Sequence, residues 1–389
     1  MRLCSPLFAI AGGLALATAS AASAAPLPAT ANAESVNAGL QAMRDYNLIV
    51  LKDLQSSSQV QGRTFVGGNL SGGSSNYMTS PGSQAGGVAL TVGGNVTGGA
   101  KNINNGGSVK VGGNLDSGAN MNGGGSVYAE GNVKKVNANG ASVYSDGNVS
   151  NTNAKDIYYG GAVSSSNGTK HGGDHSADGI QAAIAETTAS LATDLVATSD
   201  FFAGLDPTHS LTYSAGGQQA IFDAGSGTGV AVFAISDLNA ALKNRSQLIF
   251  NAPTGYDAVI INVGGLKVSL PSSINFNGPA GLGSNVIWNF YEATSVDLGS
   301  KSWYGSILAP EAQIKNNNFV SGSVVAASMI QNGEIRMNGL AAPGLTALSG
   351  TAVPEPATWA MMILGFGVIG GALRRRRAAF ALTREPVGN

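Results

Sequence analysis

The chain has 389 residues, 56 of them glycine, only 11% of them charged, and a formal net charge of −1. Glycine is about twice its usual ~7% and charge less than half its usual ~25%. This balance excludes an intrinsically disordered chain, which needs high net charge and few β-branched residues, and gives no electrostatic reason to expect nucleic acid. It favours a glycine- and strand-rich exported architecture over a cytosolic enzyme.

In chain order, the first element is an address. Arg2, a mostly apolar run from Leu7 to Ala17, and Ala22-Ser23-Ala24 follow the basic, apolar, small-residue order of a secretory signal peptide. Residues 1–24 are assigned to it, for the Sec machinery and signal peptidase, and 25–43 to a leader segment. Cys4 is the only cysteine and leaves with the signal peptide. The mature chain then has no disulfide and no thiolate ligand.

A short unit recurs next. It reads Val66-Gly67-Gly68-Asn69-Leu70, Val92-Gly93-Gly94-Asn95-Val96 and Val111-Gly112-Gly113-Asn114-Leu115. It continues as Glu130-Gly131-Asn132-Val133, Asp146-Gly147-Asn148-Val149 and a degenerate Gly160-Gly161-Ala162-Val163. The Asn positions step by 26, 19, 18 and 16, then 14 to Ala162. That length suits one coil of a β-solenoid better than a propeller blade or helical repeat. Stacked coils lie about 4.8 Å apart, so equivalent side chains form ladders. Asn69, Asn95, Asn114, Asn132 and Asn148 are therefore expected as an inward structural ladder, bonding to neighbours above and below. Glycine before each is expected to supply positive φ and close approach. A flexible linker would not hold apolar residues at fixed offsets from Gly-Asn.

The repeat breaks after Ser164. Ile180, Ile184, Thr187, Leu191 and Leu195 share one face of a helix over about 177–203, with Ser176 or Asp178 to cap its start and Gly204 and Pro207 to end it. Its polar face lacks Lys and Arg, so packing along the solenoid is preferred to a membrane surface. Strand signals then return at 230–235, 248–251, 258–263 and 266–270. Gly305-Ser306-Ile307-Leu308-Ala309 and Gly322-Ser323-Val324-Val325-Ala326 repeat at the earlier spacing. The solenoid is expected to resume after the helix as one continuous body, giving a single domain over 44–345.

A linker over 346–353 leads to Val353-Pro354-Glu355-Pro356, an apolar segment 357–373, and Arg374, Arg375, Arg376 and Arg377. The segment sits at the lower length limit for a transmembrane helix, and the arginines place what precedes it outside the cytoplasm, with 378–389 as a cytoplasmic tail. With Trp359 and Ala360, the string over 354–377 resembles the PEP-CTERM sorting signal in its Pro-Glu-Pro-x-x-Trp-Ala variant. The resemblance implies an exosortase-type transpeptidase partner in a Gram-negative bacterium, and release to the surface or matrix. A permanent inner-membrane anchor facing the periplasm is the plain alternative. Without both addresses the body keeps 15 basic and 20 acidic residues, net −5.

Other motifs carry a second resemblance. Tyr46 to Leu51, Asp53-Leu54, Val60 to Arg63, Asn285 to Ala293, Gly305 to Pro310 and Gly322 to Ala326 resemble the choice-of-anchor A domain. It implies a secreted bacterial domain held at the surface by a C-terminal signal, linked in some members to adhesion, including binding of matrix protein. It supplies no catalytic residues.

Candidate chemistry is thin. No cofactor and no metal are expected. His171, Asp174 and His175 cluster before the helix but lack the rigidity and outer partners of a true metal site. Glu130 and Asp146 occupy one slot in successive repeats, where earlier copies have glycine, and would suit Ca²⁺ if stacked; a solvated edge is the plainer reading. Nucleophile elbow, P-loop and dinucleotide fingerprints are missing. The expected fold is thus mainly β, a solenoid with one long amphipathic helix alongside. The expected function is a non-catalytic surface protein, structural or adhesive, associated with exopolysaccharide, biofilm or matrix protein. A β-helix polysaccharide-active enzyme and an ice-binding protein are the alternatives.

Overall fold

Each repeat unit folds as three short parallel strands joined by tight corners. The first unit places Leu48–Val50, Leu54–Ser56 and Gln59–Val60 on three successive faces. The next follows with Thr64–Val66, Leu70–Ser71 and Ser75–Tyr77, and pairs with the first on every face: Leu48 with Thr64, Leu54 with Leu70, Val60 with Tyr77. Alternation along each strand sends one set of side chains inward. Val50, Val66, Val92 and Val111 line the interior of the first face, Leu54, Leu70, Val96 and Leu115 that of the second, and Ile103 and Met121 that of the third; all are buried. Burying one such side chain contributes roughly 1.5–3 kcal/mol. The computed structural model describes residues 33–279, 282–342 and Leu345. Among them the chain is mainly β, with a 24-stranded parallel sheet as its largest element.

The order of the stack is not the order of the chain. On the first face, neighbouring parallel strands run Val230–Ile235, Ala258–Val263, Val286–Asn289, Ser306–Asn316 and Val324–Gln331. The next neighbour is Leu48–Val50, followed by Thr64–Val66, Val88–Val92, Ser108–Val111 and Val127–Ala129. Val136–Ser145, Asn153–Tyr159 and Asn167–Gly172 complete it. The chain begins mid-stack, winds to one end, returns, and winds back from the opposite end. Its last coil closes on its first at Leu48 with Val324, Leu54 with Met329 and Val60 with Ile335. After the helix the coils resume within the same stack, at its far end.

The return path is helix α2, Ile180–Ala203, within the predicted 177–203. Its 24 residues span roughly 36 Å at 1.5 Å each, about seven coil spacings. It lies along the first face, on outward residues that are mostly apolar, with Asn262 and Asn289 donating to Phe202 O and Ser199 O of the helix. Ile49, Phe65, Ile287, Leu308 and Val325 pack under Ile184, Leu191, Leu195 and Phe202. A second helix lies in the predicted leader segment: α1, Ala33–Asp45, adds Val36, Leu40 and Met43 to the same cluster. Gly39 lets the two helices touch, since a Cβ there would meet Asp194 O at 2.7 Å. At the far end, Thr212–Tyr213 pairs antiparallel with Gln219–Phe222. There the interior is aromatic: Phe222, Phe250, Phe276, Trp288 and Trp303 stand ring to ring. No helix among the described residues is long and apolar enough to cross a membrane. The predicted signal peptide and the predicted transmembrane segment lie outside the described residues.

Candidate functional site

The corner between the first and second faces carries the predicted ladder. Asn69 Oδ1 accepts the backbone N–H of Asn95 at 2.9 Å. Asn95 Oδ1 accepts that of Asn114 at 2.8 Å, Asn114 Oδ1 that of Asn132 at 2.8 Å, and Asn132 Oδ1 that of Asn148 at 2.8 Å. Asn148 Oδ1 serves Ala162 N at 2.8 Å, and Asp53 starts the column by accepting Asn69 N at 2.7 Å. Two expectations are corrected here. The asparagines do not point inward: Asn69, Asn95 and Asn148 are exposed and Asn114 and Asn132 half-buried, because the next residue, Leu or Val, takes the interior position. Nor is positive φ the reason for the glycines, since Gly94, Gly113, Gly131 and Gly147 lack it. Space is: a Cβ on Gly113 or Gly131 would lie 2.6 Å from the Asn Oδ1 of the coil below.

One slot earlier, glycine gives way to acid for a different cause. Helix α2 crosses this corner. A Cβ on Gly67 would meet Leu51 O of the neighbouring coil and stand 2.5 Å from Thr188 Cγ2, and one on Gly112 would meet Gly93 O and stand 2.8 Å from Gln181 Cα. Past the helix's first turn, the same slot holds Glu130 and Asp146. Glu130 Oε2 accepts Gln181 N at 2.7 Å, and Asp146 Oδ1 accepts Ala177 N at 3.2 Å. The candidate cation ligands thus meet the positive end of the helix dipole and its unbonded N–H groups. Burial raises the Asp146 carboxyl pKa, partly offset by the Ala177 N–H and by His175. The expected caps, Ser176 and Asp178, are not used; Gly179 is the N-cap and makes no side-chain bond.

The histidine cluster disperses. The His171 ring stacks on Tyr158 at 4.4 Å, and its Nε2 lies 3.3 Å from Asp156 Oδ1. Asp174 accepts from Ser176, through both backbone and hydroxyl, which lowers its pKa. A Cβ on Gly160 would lie 2.8 Å from His175 Cε1, so His175 covers that corner. Among the described residues no three His, Cys, Asp or Glu side chains gather as metal ligands. The sorting residues Pro354, Glu355, Pro356, Trp359, Ala360 and Arg374 to Arg377 lie outside the described residues.

Comparison with known families bears on this surface. The model described as "Putative Ice-binding-like adhesive domain" matches residues 39–132 and 117–337. The chain belongs to this family. A second model, the PEP-CTERM protein-sorting motif, matches residues 352–377, marking the chain as an exosortase-sorted extracellular protein. Comparison with curated proteins and with solved structures gave no match.

The adhesive domain presents three further features that the repeat reading did not single out. Tyr128, Tyr144 and Tyr158 stack at 4.7 and 4.6 Å on the uncovered end of the first face, with His171 as their last ring. Lys101 points inward on the third face, where its Nζ donates to Gly73 O at 2.8 Å and burial pushes its pKa down to about 8. Asn76, Asn102, Asn120, Asn137, Asn153 and Asn167 stand in register, outward on that third face. Their steps track those of the Gly-Asn corner, which is the signal that would have found them.

Proposed function

We propose that the protein is an exported, non-catalytic adhesive module, a β-solenoid of the choice-of-anchor A kind, carried to the cell surface or matrix by its PEP-CTERM tail. A membrane-held precursor faces the periplasm until an exosortase-type transpeptidase acts on it. The partner outside the cell is exopolysaccharide or matrix protein. The observation that carries this reading is the division of the surface. The first face is largely sealed by α1 and α2, while the other two faces of the regular coils stay open, polar and periodic. Rigid, repeated polar surface suits adhesion, because binding then orders few side chains. Against catalysis, the carboxylates of Glu130 and Asp146 are occupied with N–H groups at the start of the helix and in the turn before it. A deletion strain is expected to attach poorly to its matrix. The variant Pro354→Ala/Glu355→Ala/Pro356→Ala is expected to leave the protein in the inner-membrane fraction. Normal attachment, or normal surface delivery of the variant, defeats the corresponding half of the proposal.

The family description favours one other reading, an ice-binding surface. Thermal hysteresis of the purified protein decides it.

A further inference from the structure

We infer that the asparagine row on the third face is a binding site for an uncharged, hydroxyl-rich polysaccharide lying along the stack. This deepens, and rests on, the adhesive reading. Six amides occupy one register position on six consecutive coils, about 4.8 Å apart. Two residues further along the strands, on the same side, Asn104, Asn122 and Asn139 form a parallel row. The amides brace one another. Asn120 Nδ2 donates to Asn102 Oδ1 at 2.8 Å, Asn122 Nδ2 to Asn104 Oδ1 at 3.0 Å, and Asn153 Nδ2 to Asn139 Oδ1 at 2.7 Å.

An amide has two N–H donors and an oxygen with two lone pairs. One lateral bond therefore leaves Asn102, Asn120, Asn122, Asn139 and Asn153 with both donor and acceptor capacity toward solvent, while Asn104 spends its donors on Tyr77 O and Asn102 O. Asn76, Asn102 and Asn120 are half-buried, and Asn137, Asn153 and Asn167 exposed, so the row lies open. Both long helices pack on the first face instead.

The chemistry selects the ligand. The six-amide row contains no ionisable group; Lys135 stands at its margin and the exposed Lys155 follows Asn139 in the second row, so an anionic chain finds isolated lysines rather than a line of counter-charge. A sugar hydroxyl both donates and accepts, as an amide does. A glycan laid along the coils meets the same pair of functions at every step, and many weak bonds add because the donors are already fixed. Selectivity ends at the seam, where Gln59 Nε2 meets Glu334 Oε1 at 2.9 Å and charge enters the row.

The test is affinity electrophoresis of the full chain in gels containing dextran, mixed-linkage β-glucan or alginate. At least one neutral polymer is expected to retard the protein while alginate does not. The variant Asn120→Ala/Asn137→Ala/Asn153→Ala, with an unchanged far-UV spectrum, is expected to bind at least tenfold more weakly. Should it misfold, Asn153→Arg, a single change at an exposed site, is expected to weaken binding likewise. The second-face variant Ser150→Ala/Ser164→Ala is expected to bind as the parent does. Retardation by alginate alone, by none of the polymers, or undiminished in the third-face variants overturns the inference. So does thermal hysteresis without retardation, which would assign the row to ice. Protein that is not retarded, from a strain that still needs it for attachment, defeats this inference alone. A deletion strain that attaches normally defeats the adhesive reading beneath it.

Discussion

Residues 48–172 and residues 219–336 reach one parallel register over different interiors. The first region steps from coil to coil in 14 to 26 residues at the corner, and fills a narrow core chiefly with Val, Leu, Ile and Ala. The second starts with 28 residues between Gln219 and Gln247 and shortens to 17 between Ile307 and Val324, and fills its core with Phe222, Phe250, Phe276, Trp288 and Trp303. In the first region Tyr77 is the fully buried ring of the core, and the corners depend on glycine and an asparagine bond. In the second, aromatic packing takes over from corner chemistry. The regular region is therefore the one whose outer surface repeats.

Breaking the aromatic core should have the largest effect. Trp288→Ala removes a fully buried ring whose Nε1 donates to Tyr304 O at 2.9 Å, and is expected to cost about 3–5 kcal/mol by denaturant unfolding. Val111→Ala in the regular region should cost about 2 kcal/mol. Equal losses would erase the distinction.

The regular region has its own signature, pH dependence through Lys101. Burial holds its pKa at about 8, against 10.5 for a solvated lysine. Below pH 8 both states hold the proton and the burial penalty is present in full. Between about 8 and 10.5 the folded state releases the proton first, so stability rises with pH, by about 3 kcal/mol in all. Lys101→Met is expected to flatten this rise; a rise that persists would assign it elsewhere.

Helix docking discriminates within a single repeat slot. Gly112→Ala thrusts a methyl at Gly93 O of the neighbouring coil and at Gln181 Cα of the helix, and should cost about 1–3 kcal/mol. Glu130→Gln weakens one charge-assisted contact at the helix start, and should cost about 0.5–1 kcal/mol. Thermal melts that reverse this order would show that helix α2 does not bear on the corner.

The smallest effect belongs to the second face. Lys134 and Asp116 lie 2.8 Å apart with side chains 49% and 37% exposed, and a double-mutant cycle should give less than about 0.5 kcal/mol.

Local features were legible in the sequence because they repeat or have helical period. The Gly-Asn unit marks a real corner in the coils from Asn69 to Asn148, and Ile184, Leu191 and Leu195 mark the buried face of α2. Helix α1 went unread, although Val36, Leu40 and Met43 stand at helical spacing, because Gly39 interrupts it and its purpose needs the partner helix in view. The inward reading of Asn69 and its successors failed because one bond pattern fits either side of a corner. Glu130 and Asp146 look like ligands in sequence, since nothing local reveals a helix start 51 or 31 residues away. Stack order was the least legible feature, because a parallel coil carries the same alternation whichever neighbour it meets.

That order is the central claim, and engineered disulfides test it most directly. On the second face Gln55 is in register with Ile330, on adjacent parallel strands whose separation suits a disulfide. The pair Gln55→Cys/Ile330→Cys should cross-link under mild oxidation, giving a mobility shift that reductant reverses. The pair Ser164→Cys/Ser269→Cys, at opposite ends of the stack, should not. Cross-linking of the second pair and not the first would mean that the coils follow chain order, and would contradict the account.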